Sequence, residues 1–547
     1  MLDRLQRRFQ SAVRRTNGST TLDLLLAPQE LRSADPSLAA DIASGSLGLA
    51  GSLVPINDGS PFSLSPPNPA FFAALHGFAW LSDLRAANTF DAHAVATRLV
   101  LDWIERFDRA GDDPWRPDIV ARRFISWLSN ASFLMQRAQS ETYERLITSL
   151  ARHLHALLAH GQARSNHPAS LQIKIAAVFG CLCLTEQEDT LKPALDRLHH
   201  ELDRQILPDG SHVSRNPAEI VELLLDLLPL KTCFTARDHA VPPQLIDITR
   251  RMIQMVRHMR LGDGGLARFH GMGPAYPDRI AAVLSYDDWQ APALDTATNS
   301  RYLRLQRRQS TILLDGGPPP PPGFAAEAHA GCLSFEMSCD QQLIIVNCGA
   351  PGPADQDWRL PARSTSSHST LVLNDQSSSR IVRHGSGGNK LPLPYLIGPF
   401  QVEAILRDGD DGAAELRTSH AGYVEKHGMV HQRSLRLTAH GDRLDGHDRI
   451  HRAGKSGRSK STLPFSIHFH ISPRAKVTLA SDPQHAVIIL PDGQCWRLAA
   501  QNVVLGLEES IFLARLAGPI RGVQVVLRGQ TMDDTEVRWR LQRVRAE

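Results

Sequence analysis

Ser310-Thr-Ile-Leu-Leu-Asp315 and Cys332-Leu-Ser-Phe-Glu-Met-Ser-Cys339 decide the fold. Both are short β-type runs bounded by turn residues. Upstream, Pro243–Leu261 instead repeats its apolar residues at helical spacing. The period of the chain therefore changes near residue 300. Before it, Ala70–Ala87, Asp91–Arg109, Ile119–Arg137 and Glu141–Gly161 are apolar at i, i+3, i+4 and i+7. Ser170–Leu184, Leu191–Ile206 and Glu219–Leu230 continue the series. Short connections such as Asp112-Asp113-Pro114, Asn166-His167-Pro168 and Pro208-Asp209-Gly210 join them. Consecutive helices joined this way predict stacked helical hairpins or a ring of them, and no strict repeat points to a common solenoid. After it, Gln342–Cys348, Ser369–Asn374, Met429–Leu437, Pro464–Ser472, Ala486–Leu490 and Gly522–Leu527 follow without intervening helices. That pattern predicts an antiparallel sandwich or barrel. Pro318–Pro322 reads as a stiff extended connector, and Asn374–Lys390 as a long surface loop. The expected domains are 1–295, all-α, and 296–547, all-β.

The composition narrows the function. The 547 residues are 42% apolar and 21% charged, an ordinary globular balance. Sixty Lys and Arg against 57 Asp and Glu create no global field for nucleic acid, so no nucleic-acid partner is expected. Seven Cys, an odd number and scattered, make no disulfide framework and read as buried small hydrophobes in a reducing compartment. No apolar run is long enough for a transmembrane segment. The first fifteen residues lack the apolar core of a secretion signal, so the cytoplasm is expected rather than the periplasm. They place Leu2, Leu5, Phe9 and Val13 near helical spacing, with five arginines on other faces. A helix docked on the body fits this pattern better than a membrane-surface helix.

Several polar residues can carry chemistry. Asn166-His167 lies in a turn just before a helix, where side chains project past the helix end; a cap and a surface imidazole is the plainer reading. Asp209-Gly-Ser-His-Val-Ser-Arg-Asn-Pro217 combines ordinary turn and capping residues with a titratable base, His212, and a carboxylate-binding fork, Arg215. His329, Asn347 and His368 fall on neighbouring strand ends and form a conceivable ligand set for one divalent metal, zinc or calcium. His468 and His470 share one face of a strand, an arrangement more often solvated or stacked than chelating. Gly262-Asp-Gly-Gly265 is a loop with no sequence neighbours for phosphate binding. There is no nucleophile elbow, Walker loop or dinucleotide fingerprint.

His329-Ala-Gly-Cys-Leu-Ser-Phe-Glu336, Val346-Asn-Cys-Gly349 and Arg363-Ser-Thr-Ser-Ser-His-Ser-Thr-Leu371 lie in an order that resembles the heparinase II/III family of polysaccharide lyases. Leu75-His-Gly-Phe-Ala-Trp-Leu-Ser-Asp-Leu84, Trp115-Arg-Pro117, Arg123, Trp127 and Ser165-Asn-His167 add to the likeness. The resemblance implies an incomplete (α/α) toroid followed by an antiparallel β-sandwich. It also implies β-elimination on uronic-acid-containing glycans, with an acidic oligosaccharide or polysaccharide as partner and a homodimer left open. Elimination needs the uronate neutralised, a base for its C5 proton and an acid for the leaving O4. By the resemblance, Asn166 and His167 serve the carboxylate and the proton. His212 and Arg215 lie in the loop leading to the catalytic Tyr, and His329, Asn347 and His368 fall at the metal ligands. Trp115, Arg123, Tyr276 and Glu327 are the expected substrate contacts.

The chain departs from the family pattern at three positions. Ala218-Glu219 stands where the Tyr is common, Glu327 where many members have a His, and Asn347 where an Asp is usual. His212, then Tyr276 or Tyr286, are the replacement bases. The same departures allow a non-catalytic acidic-carbohydrate-binding protein, or a toroid-type glycoside hydrolase using Glu219 and Glu327.

Overall fold

A computed structural model describes residues 22–544 except 57–58, 109–112, 137–138, 162–168, 287–292, 295, 385–389, 455–461 and 481–483. The chain forms two compact units. One comprises Met1–Ile206, Val221–Arg250 and Asp278–Asp288; the other comprises Leu207–Ile220, Arg251–Pro277 and Trp289–Glu547. The division is thus discontinuous rather than a single cut at residue 295. Two segments from the helical half of the sequence, 207–220 and 251–277, belong to the second unit.

Helices of the first unit follow the sequence closely. Phe90–Phe107 is capped by Thr89, whose side chain accepts the Ala92 N–H, and buries Ala92, Ala96, Leu99, Val100, Trp103 and Ile104 along one stripe. Ser170–Cys183 is buried on all sides, as a central helix must be. The expected helix Ala70–Ala87 is broken into Pro69–Gly77 and Leu81–Ala87. The break is at Phe78, which takes a left-handed conformation with φ of 57°. Among the described residues no helix is long and apolar enough to cross a membrane.

In the second unit two antiparallel sheets pack face to face. The first holds β3 (Tyr302–Arg307), β4 (Ser310–Asp315), β5 (Phe335–Cys339), β6 (Gln342–Val346), β14 (Pro464–Ile471), β19 (Ile520–Gln530) and β18 (Val504–Phe512), with β7 (Leu371–Leu373) paired to β14. The second runs β10 (Val402–Asp408), β11 (Ala414–Tyr423), β12 (Met429–Leu437), β13 (Arg443–Arg452), β20 (Asp534–Val544), β17 (Cys495–Ala500), β16 (His485–Ile489) and β15 (Lys476–Leu479). Two hairpins complete the set of described strands: β1 (Ser46–Leu49) with β2 (Ser52–Pro55), and β8 (Arg380–His384) with β9 (Lys390–Ile397). β8 lies inside the stretch expected to be loop.

Alternate residues of each sheet enter one shared core, including Ile312, Leu314, Phe335, Ile467, Leu435, Leu444 and Leu541. Phe335 stacks on Trp539 with ring centroids 5.8 Å apart, joining the two inner faces. All seven cysteines are free, and six are buried as expected.

Candidate functional site

The loop from Leu207 folds because its residues cap one another. Gly210 has φ of 83°, and a Cβ there would lie 2.2 Å from the Arg251 carbonyl oxygen, so only glycine fits. Asn216 accepts the Ala218 N–H at 3.0 Å, ahead of Pro217 at the first helical position, which is the capping role the plainer reading gave it. Between these, Arg215 is held at φ of 58° by its N–H donating to the His212 carbonyl at 2.8 Å.

This backbone aims the Arg215 guanidinium inward. It donates to Asp315 Oδ1 at 2.5 Å, to the Ser300 carbonyl at 2.8 and 3.1 Å, and to the Pro318 carbonyl at 2.8 Å. It also lies over the Tyr302 ring, 4.7 Å from its centroid. The Tyr302 hydroxyl donates to the Arg215 carbonyl. Asp315 Oδ2 faces His270 Nε2 at 2.9 Å. Burial pushes the Asp315 carboxyl up, but Arg215 and His270 outweigh this and hold it at about 2. His270 Nδ1 accepts the His329 N–H, and His329 Nδ1 meets His368 Nε2 at 3.1 Å. His368 Nδ1 donates to the Ser364 carbonyl at 2.8 Å. Arg215, Asp315, His270, His329 and His368 thus form one continuous buried relay of polar groups.

The expected roles must be corrected against this geometry. Arg215 cannot clamp a substrate carboxylate, because its fork is closed on Asp315. His212 is buried, and burial lowers it to about 4, so it is neutral at pH 7. Its Nδ1 lone pair takes the Ser214 N–H at 3.2 Å and the Ser214 hydroxyl at 2.7 Å. That tautomer carries its proton on Nε2 and is a donor rather than a ready base.

Trp115 and Arg123, expected at the substrate, are buried in the first unit instead. Arg123 lies 3.8 Å over the Trp103 ring, and donates to His153 Nε2 at 2.8 Å and to the His76 and Pro114 carbonyls. The Trp115 indole donates to the Phe107 carbonyl at 2.5 Å. Glu327 and Tyr276 are half-exposed. Glu327 is ion-paired with Arg359, and its Cβ lies 2.9 Å from where a Cβ on Gly271 would sit, with Asn216 beside it. Asn166 and His167 lie outside the described residues.

The metal expectation does not fit the donors present. His329 Nδ1 and His368 Nε2 face each other at hydrogen-bonding distance, and the remaining His368 nitrogen is spent on Ser364. Asn347 turns its amide to the backbone: Oδ1 accepts the Ser369 N–H at 2.9 Å, and Nδ2 donates to the Arg268 carbonyl at 3.2 Å. Among the described residues no group of three His, Cys, Asp or Glu is placed to hold a metal ion. His468 and His470 are stacked, 6.2 Å apart. Their nitrogens go to Ser466, Gln524, Ser510 and the Ser366 carbonyl.

Asp315, His270 and Tyr302 were missed by the sequence reading. Asp315 reads as an ordinary strand end, and only the run Phe269-His-Gly-Met-Gly273, an imidazole among glycines, hints at a constrained His270.

Comparison with known proteins agrees with this architecture. A family model described as Heparinase II/III-like, C-terminal, matches residues 290–540. FtsZ-localized protein C of Caulobacter vibrioides is 31% identical over 535 residues, covering 94% of this chain and 89% of that protein. Two solved structures share the fold across nearly the whole chain. Heparinase III has a TM-score of 0.72 at 12% identity, with 98% of this chain and 89% of that one covered. A mutant of heparan sulfate lyase HepC from Pedobacter heparinus has a TM-score of 0.64 at 14% identity, covering 99% and 88%. Helices followed by a two-sheet sandwich, the matched C-terminal region and a relative similar along almost its full length converge on one conclusion: the chain belongs to the heparinase II/III-like family.

Proposed function

We propose that this chain is a non-eliminating member of its family, which uses the polysaccharide-lyase fold to bind rather than to cut and works with the cell-division apparatus. The observation that carries this reading is the closure of Arg215 on Asp315. β-Elimination begins by neutralising a uronate carboxylate, and Arg215, the carboxylate-binding fork of its loop, is already paired with Asp315. Two further departures, both among the described residues, support the same reading. Ala218 and Glu327 occupy the positions where family resemblance expects the Tyr and His, and His212 presents a donor. An acidic oligosaccharide, reached in the cytoplasm, is the ligand class the fold favours. The link to division rests on the relative named for its localisation to FtsZ, whose similarity runs the length of this chain.

Co-sedimentation of the purified full chain with FtsZ polymers tests the division link. The expected result is the chain in the pellet only when FtsZ is polymerised. A chain that stays in the supernatant with and without polymer contradicts it. Cleavage of uronic-acid glycans, the function the resemblance implied, is the opposing outcome for the fold's use.

A further inference from the structure

The two large sheets end, among the described residues, in four edge strands: β3 and β18 in the first, β10 and β15 in the second. An edge strand presents unpaired N–H and C=O groups, a template for another chain. Charge separates the four. β3 carries two arginines and no acid, β15 a lysine and no acid, and β18 two glutamates and no cation. β10 alone carries both signs. In Val402-Glu-Ala-Ile-Leu-Arg-Asp408, Glu403 and Arg407 stand at equal distances on either side of Ile405.

Packing assigns the two faces of β10. Val402 is buried, and Ala404 and Leu406 pack against the shared core. Glu403, Ile405 and Arg407 therefore point outward, where all three are exposed. The strand is in register with β11 from Val402 to Asp408. Beyond that ladder only its ends are held. Arg301 Nη1 donates to the Val402 carbonyl at 2.7 Å, and Arg307 is ion-paired with Asp408. Between these clasps, Glu403 and Arg407 make no ion pair or side-chain hydrogen bond among the described residues. Ile405 is 48% exposed, and Phe400, just ahead of the strand, 79%. Both are apolar surface that a single copy leaves in water.

We propose that β10 is a homodimer contact, pairing antiparallel with β10 of a second copy about a two-fold axis through Ile405. Facing positions then lie equally far from the axis, so Glu403 of each copy faces Arg407 of the other. Facing side chains of an antiparallel pair share one face. Two Glu403–Arg407 pairs therefore form across the junction, one on each side of an Ile405–Ile405 contact. The two-fold closes the assembly at a dimer and joins the second sheets of both copies into one. The test is sedimentation equilibrium of the full chain over a range of micromolar concentrations. A reversible monomer–dimer equilibrium is the expected result. Arg407→Glu sets like charges opposite one another at both pairs and should raise the dimer Kd about tenfold or more. Adding Glu403→Arg restores opposite charges across the junction and should return the Kd to within severalfold of the parent's. Both positions are exposed, so neither change touches the core. The second change leaves Glu415, which faces position 407 on β11, in place. Recovery in the double variant thus distinguishes a mended junction from a disturbed strand. A chain that is monomeric throughout, an Arg407→Glu variant that dimerises like the parent, or a double variant no tighter than the single one would each overturn the assignment.

Discussion

Arg123 in the first unit and Arg215 in the second are both buried guanidiniums, and both look like substrate contacts in the sequence. Their surroundings balance the charge by opposite means. Arg123 has no carboxylate partner among the described residues. It is held by the face of Trp103, the lone pair of His153 and two carbonyls. Arg215 is held by a carboxylate, Asp315, which is shared with His270. The difference teaches what each arginine leaves behind when removed: orphaned neutral acceptors in one case, a stranded buried anion in the other. The Arg215 fork is closed by its carboxylate, whereas Arg123 keeps one buried nitrogen, Nη2, without a hydrogen-bond acceptor among the described residues.

The largest expected effect follows from that contrast. Arg215→Met should destabilise the full chain by about 3–5 kcal/mol in urea unfolding, because it strands Asp315. Adding Asp315→Leu should recover most of the loss. A double variant as unstable as the single one would break the comparison.

The relay beyond Asp315 sharpens it through pH. Burial lowers His368 to about 4 in the folded chain, against about 6.5 when unfolded. Between those values the unfolded chain takes up a proton that the folded chain refuses, so stability falls as pH drops through this window. The full loss is on the order of 3 kcal/mol near pH 4. His368→Gln should show a correspondingly shallower decline between pH 7 and 4, and curves that stay parallel would contradict the burial argument. Next in size is Arg123→Met, which should cost roughly 1–3 kcal/mol, less than Arg215→Met, since only neutral acceptors are orphaned. The smallest effect is none. A strong chelator should leave the melting temperature unchanged, because Asn347 and the two imidazoles are spent on one another and on the backbone; a drop of several degrees would restore the metal reading.

How much of this was legible depends on what the inner faces carry. The change of period near residue 300 is visible because Ser310–Asp315 and Met429–Leu437 bury apolar residues. Arg443–Arg452 is a strand of equal standing that the pattern conceals. Its inner positions are Leu444, Gly446, Asp448 and Ile450. Gly446 makes room for Trp539, whose ring would lie 2.0 Å from a Cβ there, and Asp448 is a buried anion held by Arg433 and His431. A small residue and a buried ion pair erase the alternation that betrays a strand. The site was hidden for a related reason. Arg215 stands out in the loop, but whether it can act depends on Asp315, a hundred residues away. Spacing in sequence carries no sign of that pairing.

The most direct measurement is the ultraviolet absorbance of a 4,5-unsaturated uronate during incubation of the full chain with heparan sulfate, chondroitin sulfate and polygalacturonate between pH 5 and 9. The account predicts no rise above the buffer control with any of them. A saturable rise that His212→Asn or Glu327→Ala abolishes would contradict it, and would place a working acid–base pair where the structure shows side chains already engaged.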